Sequence, residues 1–394
     1  MLIGLAGLQL GGCQINAVDL ARELRRLGHD VSLFAVADDS VELTILPYAE
    51  AAGFSVVTLP VRPGLRDSAR EIAALADARD ADVVHVFAPW LARPLGVAAA
   101  GWSRRAAVET NWNMVNAFWG SPRVPLVVGT GAMRDEAQQR RRAAVHLMEP
   151  PVDQETDRPD PAQGAAFRAQ HGVAPDDFLA VVVSRLDREM KAEGILLTID
   201  ALERTAGRDL RLAVVGDGDA TRMIADAADR ANARLGRKAV LLTGALLDPH
   251  PAYAAADVVL GMGGAAIRGL AHGKPVVVLG ERGFFLPYDV KHVRHFRREG
   301  FYGIGGPLRP ADELARLLES LSADDLRRAR MARFGLEDVD RRFGLGAATR
   351  SLVDIYRAAL DAVPGRLPRS VAARRIIARD AAASLRARVS RRSS

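Results

Sequence analysis

The sequence predicts an α/β protein made of two doubly wound domains, each built around a parallel sheet. Short β-rich apolar segments alternate with helical segments up to residue 148, and the same alternation restarts at residue 179. Such alternation is typical of parallel sheets that helices cover on both faces. A chain of 394 residues is long enough for two domains of ordinary size.

The N-terminal half contains seven β-rich segments, several of them separated by segments with helical periodicity. Residues 13–27 place apolar side chains at helical intervals, and Gly28 follows where that helix is expected to end. The predicted strands are 2–8, 31–36, 55–59, 83–87, 106–108, 126–128 and 145–148, and the predicted helices include 13–27, 67–79 and 91–102.

Two consecutive prolines, Pro150 and Pro151, interrupt this alternation. Proline continues neither a helix nor a central strand, so this segment is predicted to connect two domains. The predicted boundaries are 1–150 for an N-terminal domain, 151–345 for a C-terminal domain, 346–364 for a helix that returns to the N-terminal domain, and 365–394 for a basic tail.

The C-terminal half repeats the pattern of strands and helices. Its predicted strands are 179–183, 210–215, 239–242, 258–260 and 275–279, and its predicted helices include 191–205, 219–234 and 265–272. Past residue 308 the chain is predicted to be helical, with a last amphipathic helix at about 346–361.

The net charge of +6 is unevenly distributed along the chain. Residues 365–394 contain nine arginines and one acid, Asp380, which leaves a net charge of −2 for the other 364 residues. The charge of these 364 residues therefore gives no indication of a nucleic-acid groove, and no nucleic-acid partner is expected. In the tail, arginines alternate with apolar residues over 366–392, which suits either an anionic membrane surface or a solvated chain end.

Cysteine content and hydropathy indicate the compartment. The single cysteine, Cys13, excludes an internal disulfide framework and a Cys-rich zinc site. No apolar run approaches the roughly 18–20 residues that a membrane span requires. We therefore expect a cytoplasmic protein, and the basic tail leaves open an association with the inner face of the membrane.

Glycines at the end of the first predicted strand form the first candidate binding loop. Ligands of open parallel sheets bind beyond the carboxyl ends of the strands. Gly11 and Gly12 stand there, directly before a helix, where backbone N–H groups can approach an anion. A plain tight turn would use the same residues.

A second candidate loop follows strand 179–183 and contains Ser184, Arg185 and Lys191. Arginine can bridge two phosphate oxygens and lysine acts as a point charge, so the pair suits a diphosphate. The alternative is a solvated basic loop whose cations pair with neighbouring acids.

Glycines also follow the next two strands, as Gly216 and Gly218 after 210–215 and as Gly244 after 239–242. Asp217 and Asp219 imitate a metal-binding pair, but two carboxylates without further ligands give little support for a metal cage. We predict donor-binding glycines here and no metal.

The loop after strand 258–260 contains Gly261, Gly263 and Gly264 and precedes a short helix that includes Arg268. Its amide groups would face the ligand crevice. A buried Arg268 would have to meet a phosphate or an acid, whereas an exposed one would be ordinary surface.

Taken together, these loops resemble the retaining, nucleotide-sugar-dependent glycosyltransferases of family 4, which have the GT-B fold of two Rossmann-like lobes facing a cleft. The resemblance covers about residues 1–360. Arg185 and Lys191 fall on the two diphosphate-binding cations of that family. The other matching segments are Gly11-Gly12, Leu27-Gly28-His29-Asp30-Val31, Asp82-Val83-Val84-His85-Val86, Pro150-Pro151-Val152-Asp153, Val215-Gly216-Asp217-Gly218, Tyr253-Ala254-Ala255-Ala256-Asp257 and Gly273-Lys274-Pro275-Val276-Val277.

The sequence departs from the family at three expected site residues. Leu260 and Arg268 stand where the family has two glutamates eight residues apart, so ribose recognition must differ; Glu281 is the candidate substitute. Trp112 stands where the family has an N-lobe histidine, and an indole cannot act as a base. Acceptor activation would then fall to Glu109, to His85 or to a donor phosphate oxygen.

The resemblance implies metal-independent transfer of a sugar from a nucleoside-diphosphate sugar, with retention, to the hydroxyl of a small-molecule or lipid-linked glycan acceptor. It implies no cofactor beyond this co-substrate. The N-terminal domain would be the acceptor side, with Trp90, Asn111 and Trp112 as contacts, and the C-terminal domain would bind the donor. Two alternatives remain: a non-catalytic relative that acts as a partner or scaffold, and a sugar-nucleotide epimerase.

Overall fold

The computed structural model describes residues 1–37, 44–113, 120–205, 210–246, 248–303 and 310–363. Contacts divide the chain into two compact units, one formed by Met1–Pro151 with the segment from Leu345 onward and the other by Val152–Gly344. We call them unit 1 and unit 2. The predicted basic tail at 365–394 lies outside the described residues.

Unit 1 contains a fully parallel seven-stranded sheet with the order β3-β2-β1-β4-β5-β6-β7. Most of its strand residues are buried, as expected when helices cover both faces. The strands are β1 Leu2–Gly4, β2 Ser32–Val36, β3 Val56–Leu59, β4 Val83–Val86, β5 Ala106–Asn111, β6 Leu126–Val128 and β7 Val145–Leu147, and the helices before residue 152 are α1 Gly12–Arg26, α2 Leu46–Ala51, α3 Leu65–Ala78, α4 Pro89–Ala99 and α5 Gly131–Gln138.

Unit 2 contains a six-stranded sheet with the order β10-β9-β8-β11-β12-β13, in which only the edge strand β13 is antiparallel. Its strands are β8 Phe178–Val183, β9 Leu210–Val215, β10 Val240–Gly244, β11 Val258–Gly261, β12 Val276–Leu279 and β13 Phe285–Pro287. Its helices are α6 Pro161–Gln170, α7 Ala192–Glu203, α8 Thr221–Leu235, α9 His250–Ala255, α10 Gly264–Ala271, α11 Val293–Glu299, α12 Ala311–Ala323 and α13 Asp325–Arg342.

The last described helix, α14 Leu345–Asp361, returns to unit 1. It buries Leu352 and Tyr356 in the same apolar cluster as Ile3, Leu20 and Val108. Unit 1 therefore takes its core from both ends of the chain. None of the helices in the described part of the chain is both long and apolar enough to cross a membrane.

The predicted fold class is confirmed, since both units are α/β structures built on parallel sheets. Several details differ from the prediction. β1 ends at Gly4, whereas the predicted strand ran to residue 8. β5 runs to Asn111 instead of ending at residue 108, so Glu109 and Asn111 are strand residues and do not belong to a loop. The short helices α2, α5, α6, α9 and α11 and the edge strand β13 were not predicted.

Candidate functional site

The order of the strands in unit 2 marks one edge of its sheet as the candidate site. β8 and β11 are neighbours at the centre, and the strand order runs outward from them in opposite directions. In doubly wound sheets, ligands bind beyond the carboxyl ends of the strands at such a switch point. The loops that begin at Ser184 and at Met262 therefore line the position where a ligand is expected.

The loop after β8 carries the two predicted cations. The Arg185 side chain is 59% exposed and pairs with Asp187, at 2.8 Å between Nη2 and Oδ2. Lys191 is half-buried and is the N-cap residue of α7. Burial lowers the pKa of Lys191 to about 8, with Asp187 opposing and Arg185 reinforcing this shift. A desolvated ammonium of this kind would be stabilised by an anionic ligand.

The loops after β8 and β9 lie against each other through their backbones. The Leu186 N–H donates to the Asp217 carbonyl oxygen at 2.9 Å. Gly216 has a φ of +141°, and a Cβ there would lie 1.8 Å from the Ser184 carbonyl oxygen. A Cβ at Gly218 would lie 2.5 Å from the Leu186 carbonyl oxygen. Both glycines are thus required for close packing of this edge, a role distinct from presenting amides to a ligand.

The two aspartates of this segment hold backbone turns. Asp217 Oδ1 accepts hydrogen bonds from the Gly218 N–H at 2.8 Å and from the Thr221 hydroxyl at 2.5 Å. Asp219 Oδ1 accepts one from the Arg188 N–H at 3.0 Å. Gly244, at the end of β10, has a φ of +74°, and its carbonyl oxygen accepts a bond from the Gly216 N–H.

The three glycines at and after the end of β11 differ in position and in whether their N–H groups are already bonded. Gly261 is the last residue of the strand and is buried. Gly263 has a left-handed φ of +59°, and its N–H donates to the Phe301 carbonyl oxygen, so that amide is already used. Gly264 begins α10 and is half-buried. Of the three, Gly264 stands at the helix N-terminus, where an anion would be favoured.

Arg268 lies midway along α10 and contacts an acid. Its Nε is 3.3 Å from Asp157 Oδ2, and its side chain is 21% exposed.

Glu281 is exposed in the turn after β12, where Arg282 and Gly283 both have positive φ. The Gly283 N–H donates to Glu193 Oε1 at 3.0 Å, which ties this turn to the first turn of α7. Glu281 therefore belongs to the same sheet edge as Lys191.

In unit 1, Gly11 and Gly12 begin α1 after the loop that follows β1. Gly11 is the N-cap residue and has an extended backbone. Gly12 is exposed, and a Cβ added there would meet no atom within 4 Å. β1 and β4 are neighbours at the switch point of this sheet, so these glycines lie at its ligand-binding edge.

His85 lies in the interior of unit 1. It is fully buried in β4; its Nδ1 is 2.7 Å from the Tyr356 hydroxyl, and its Nε2 is 2.8 Å from Thr110 Oγ1. Burial lowers the pKa of His85 to about 3, so the ring is neutral at physiological pH. Both nitrogens are engaged, which gives His85 a role in joining α14 to the sheet.

Glu109 forms a buried ion pair with Arg141. Burial raises the pKa of Glu109 to about 7, although Arg141 opposes that shift. The Arg141 guanidinium also donates to the carbonyl oxygens of Ser121 and Val124, both at 2.9 Å. Glu109 thus fixes the position of an interior arginine in this structure.

The three predicted acceptor contacts differ in exposure. Trp90, at the start of α4, is 48% exposed. Asn111 is buried, and its Oδ1 accepts a hydrogen bond from the Asn113 N–H. Trp112 is also buried; its indole N–H donates to the Met148 carbonyl oxygen at 2.8 Å, and its ring packs against Phe87. Trp90 is the one of these three with a solvent-facing ring.

A further group of polar residues in unit 2 was missed by sequence reasoning. Asp157, His250 and His272 bring three potential metal-ligating atoms within 4.8 Å of one another. Asp157 and His272 are 3% and 1% exposed. The three residues are far apart in sequence and follow no metal-binding spacing, so no motif indicated them.

Two family models match the chain in succession. Residues 11–189 match the glycosyl transferase 4-like domain, and residues 177–320 match glycosyl transferases group 1. The two matches together span residues 11–320, so most of the chain is similar to glycosyltransferase domains. No curated protein sequence matches it.

Solved structures with the same fold include HepE (Alr3699) of Anabaena in complex with UDP. It has 18% sequence identity and a TM-score of 0.70, and the match covers 91% of this chain and 99% of that one. A glycosyltransferase from Rickettsia africae has 15% identity and a TM-score of 0.68, covering 92% and 98%. WaaG, a glycosyltransferase involved in lipopolysaccharide biosynthesis, has 16% identity and a TM-score of 0.58, covering 93% and 100%. The fold is therefore GT-B.

Proposed function

We propose that this protein transfers a sugar from a nucleoside-diphosphate sugar to an acceptor hydroxyl, with retention of anomeric configuration and without a metal ion in the reaction. The observation that carries the proposal is the pair Arg185 and Lys191 after β8, at the switch point of unit 2. Unit 2 is accordingly the donor-binding unit, and unit 1 the acceptor side.

The two cations suit a diphosphate for different physical reasons. Lys191 is desolvated, so an anion would recover electrostatic stabilisation that water does not provide there. Arg185 is exposed and holds only the neighbouring Asp187 among the described ion pairs, so its guanidinium can exchange that carboxylate for two phosphate oxygens. Further donor contacts are proposed for Ser184, Gly264 and Glu281 on the same edge, and for Gly11 and Gly12 of unit 1.

In the transfer step, the bond between the anomeric carbon and the diphosphate oxygen breaks as the acceptor oxygen bonds to that carbon on the same face. The acceptor proton passes to an oxygen of the departing diphosphate. Arg185 and Lys191 stabilise the negative charge that develops on this leaving group, which is commonly the largest catalytic contribution. A protein base is not needed, in keeping with the interior hydrogen bonds of His85 and the ion pair of Glu109.

Neither alternative is favoured by the site. An epimerase needs a histidine or carboxylate free to move protons, whereas both ring nitrogens of His85 are engaged. A scaffold has no use for a half-buried lysine beside an arginine at the ligand edge. Binding of a nucleotide therefore separates an enzyme from a scaffold.

The acceptor side and the location of the protein are proposed from an exposed aromatic ring and from the basic tail. Trp90 offers an exposed ring for packing against a sugar face. The predicted basic stretch at 366–392 lies outside the described residues, and we propose that it brings a cytoplasmic enzyme to the inner membrane face and to a lipid-linked acceptor. Equal co-sedimentation with anionic liposomes before and after deletion of 365–394 would contradict this.

The deciding experiment is a thermal-shift panel with UDP, dTDP, GDP and CDP. UDP is the first choice, because the structures of Anabaena HepE contain UDP and UDP-glucose. A nucleotide at about 100 times its Kd should stabilise the protein by roughly 2.7 kcal/mol. Absence of a shift with all four nucleotides would favour the scaffold.

The matching sugar nucleotide then allows turnover to be measured. Arg185→Ala should lower turnover by at least about 100-fold, because it removes a charge aimed at the leaving group. Arg234→Ala is the matched control, since Arg234 is exposed on α8 and pairs with Glu203. Near-normal turnover of Arg185→Ala would rule out the assignment.

A further inference from the structure

Three polar residues of unit 2 meet beside Arg268: Asp157 and His272 are buried, and His250 is half-buried. Asp157 lies in the segment between Val152 and α6, His250 is the first residue of α9, and His272 is the C-cap residue of α10. Within the described part of the chain, Asp157 Oδ1 and both ring nitrogens of His272 have no hydrogen-bond partner. Buried polar atoms rarely lack partners, so their presence here requires an explanation.

The spacing of the facing atoms fits a metal ion better than hydrogen bonds. His250 Nε2 is 3.4 Å and His272 Nε2 is 3.7 Å from Asp157 Oδ1. Hydrogen bonds between such groups are usually about 2.7–3.2 Å long. Ligands of a tetrahedral Zn²⁺ lie about 2.0–2.2 Å from the ion, which places them roughly 3.3–3.5 Å from one another. The two distances to Asp157 Oδ1 approach that separation, and all three candidate ligand atoms lie within 4.8 Å of one another.

Polar neighbours orient His250 and Asp157, and an aromatic ring packs against His272. His250 Nδ1 lies 2.5 Å from Asp248 Oδ1, so Nε2 is the nitrogen left to face the cluster. A carboxylate that accepts the second N–H of a ligating histidine is a regular feature of zinc sites. The Tyr253 ring stacks on His272 with a centroid distance of 5.3 Å, and Arg268 Nε contacts the other oxygen of Asp157.

We propose that unit 2 binds one Zn²⁺ through Asp157 Oδ1, His250 Nε2 and His272 Nε2, with a fourth position for water. The ion would join the segment before α6 to α9 and α10, and so would stabilise unit 2. The site is separate from Asp217 and Asp219, for which no metal is predicted, and takes no part in the proposed transfer step. This inference does not depend on the proposed function.

The test is zinc binding by the full-length protein. After treatment with EDTA and removal of the chelator, titration with ZnCl2 should show one ion per chain and raise the Tm. Titration with CoCl2 should give the visible absorption of a tetrahedral Co²⁺ site with nitrogen and oxygen ligands. A wild-type protein that takes up neither ion stoichiometrically overturns the proposal, whatever any variant does.

Variants then locate the site. Asp248→Ala removes only the carboxylate behind His250 and should weaken zinc binding about 10–100-fold. His250→Ala removes a ligand from a half-exposed position and should weaken binding more than Asp248→Ala does. His292→Ala is the matched control, because His292 also pairs with an aspartate, Asp289, at 2.8 Å but belongs to no cluster among the described residues. Zinc affinity of His250→Ala equal to that of the control would assign the ion to another place and refute the site.

Discussion

At the scale of single residues, Lys191 combines a positive charge with partial burial. Its pKa is lowered to about 8, mainly by burial. The ammonium is therefore charged at pH 7 and loses its proton as the pH rises through 8. A bound diphosphate favours the charged form and raises the pKa, so binding is coupled to proton uptake above pH 8.

This coupling predicts how nucleotide affinity depends on pH. At one pH unit above the pKa only about a tenth of the lysine is charged. If the charged form binds the nucleotide, the Kd for the preferred nucleotide should be roughly tenfold higher at pH 9 than at pH 7. Isothermal titration calorimetry at both pH values measures this directly.

Two variants serve as controls for this pH effect. Lys191→Arg stays charged and should largely lose the dependence, whereas Lys238→Met, at an exposed lysine before β10, should keep it. A wild-type Kd that is constant between pH 7 and pH 9 would show that the Lys191 charge does not contribute to binding.

The sequence predicted the position of Arg185 and Lys191 but not the interior contacts of His85 and Glu109. Arg185 and Lys191 follow a strand, and the position of their loop follows from strand order alone. The hydrogen bond of His85 joins it to Tyr356, 271 residues away, and the partner of Glu109 is an arginine beyond two intervening elements. Periodicity carries no information about such partners.

At the scale of elements, the edge formed by the loops after β8 and β9 depends on glycine. The Gly216 N–H is bonded to Gly244, and its α-carbon faces the Ser184 carbonyl oxygen. There is no room for a side chain unless one of the two loops moves. The position of Arg185, the next residue after Ser184, therefore depends on Gly216.

Gly216→Ala is expected to destabilise the protein and to weaken nucleotide binding. The added Cβ would lie 1.8 Å from the Ser184 oxygen, and the φ of +141° is unfavourable for alanine; backbone strain of this type costs on the order of 1–3 kcal/mol. Urea denaturation measures the change. Gly12→Ala, where a Cβ has open space, should change stability little; equal midpoints for the two variants would contradict the prediction.

The sequence predicted most strands well and missed several short helices. Most strands of both sheets were predicted to within a few residues, because buried parallel strands form continuous apolar runs. α9 has only six residues, and α6 is rich in alanine with little contrast between its faces, so neither shows a clear period. β13 has three residues and pairs only because the turn at Glu281 reverses the chain.

At the scale of the whole molecule, unit 2 is inserted into unit 1. Its first and last residues are adjacent, since the Val152 N–H donates to the Phe343 carbonyl oxygen at 2.8 Å and Val152 pairs with Gly344. Unit 2 also has its own apolar clusters on the two faces of its sheet. Unit 1 by contrast needs α14 to cover its core.

This arrangement predicts different behaviour for two fragments. Residues 152–344 expressed alone should fold and unfold cooperatively, because their ends meet within the unit and their core is complete. Residues 1–151 alone should not, because they lack Leu352, Tyr356 and the other buried residues of α14. Circular dichroism during thermal unfolding distinguishes them. A cooperative transition in 1–151 would show that α14 is dispensable.

The insertion also sets the order in which the nascent protein can mature. The ribosome must translate all of unit 2 before it reaches α14, so the half of the protein that is synthesised first is the half completed last. Until the final helix emerges, the apolar surface that Leu352 and Tyr356 later cover stays open, and this is the interval in which a nascent chain is most prone to aggregate or to engage a chaperone.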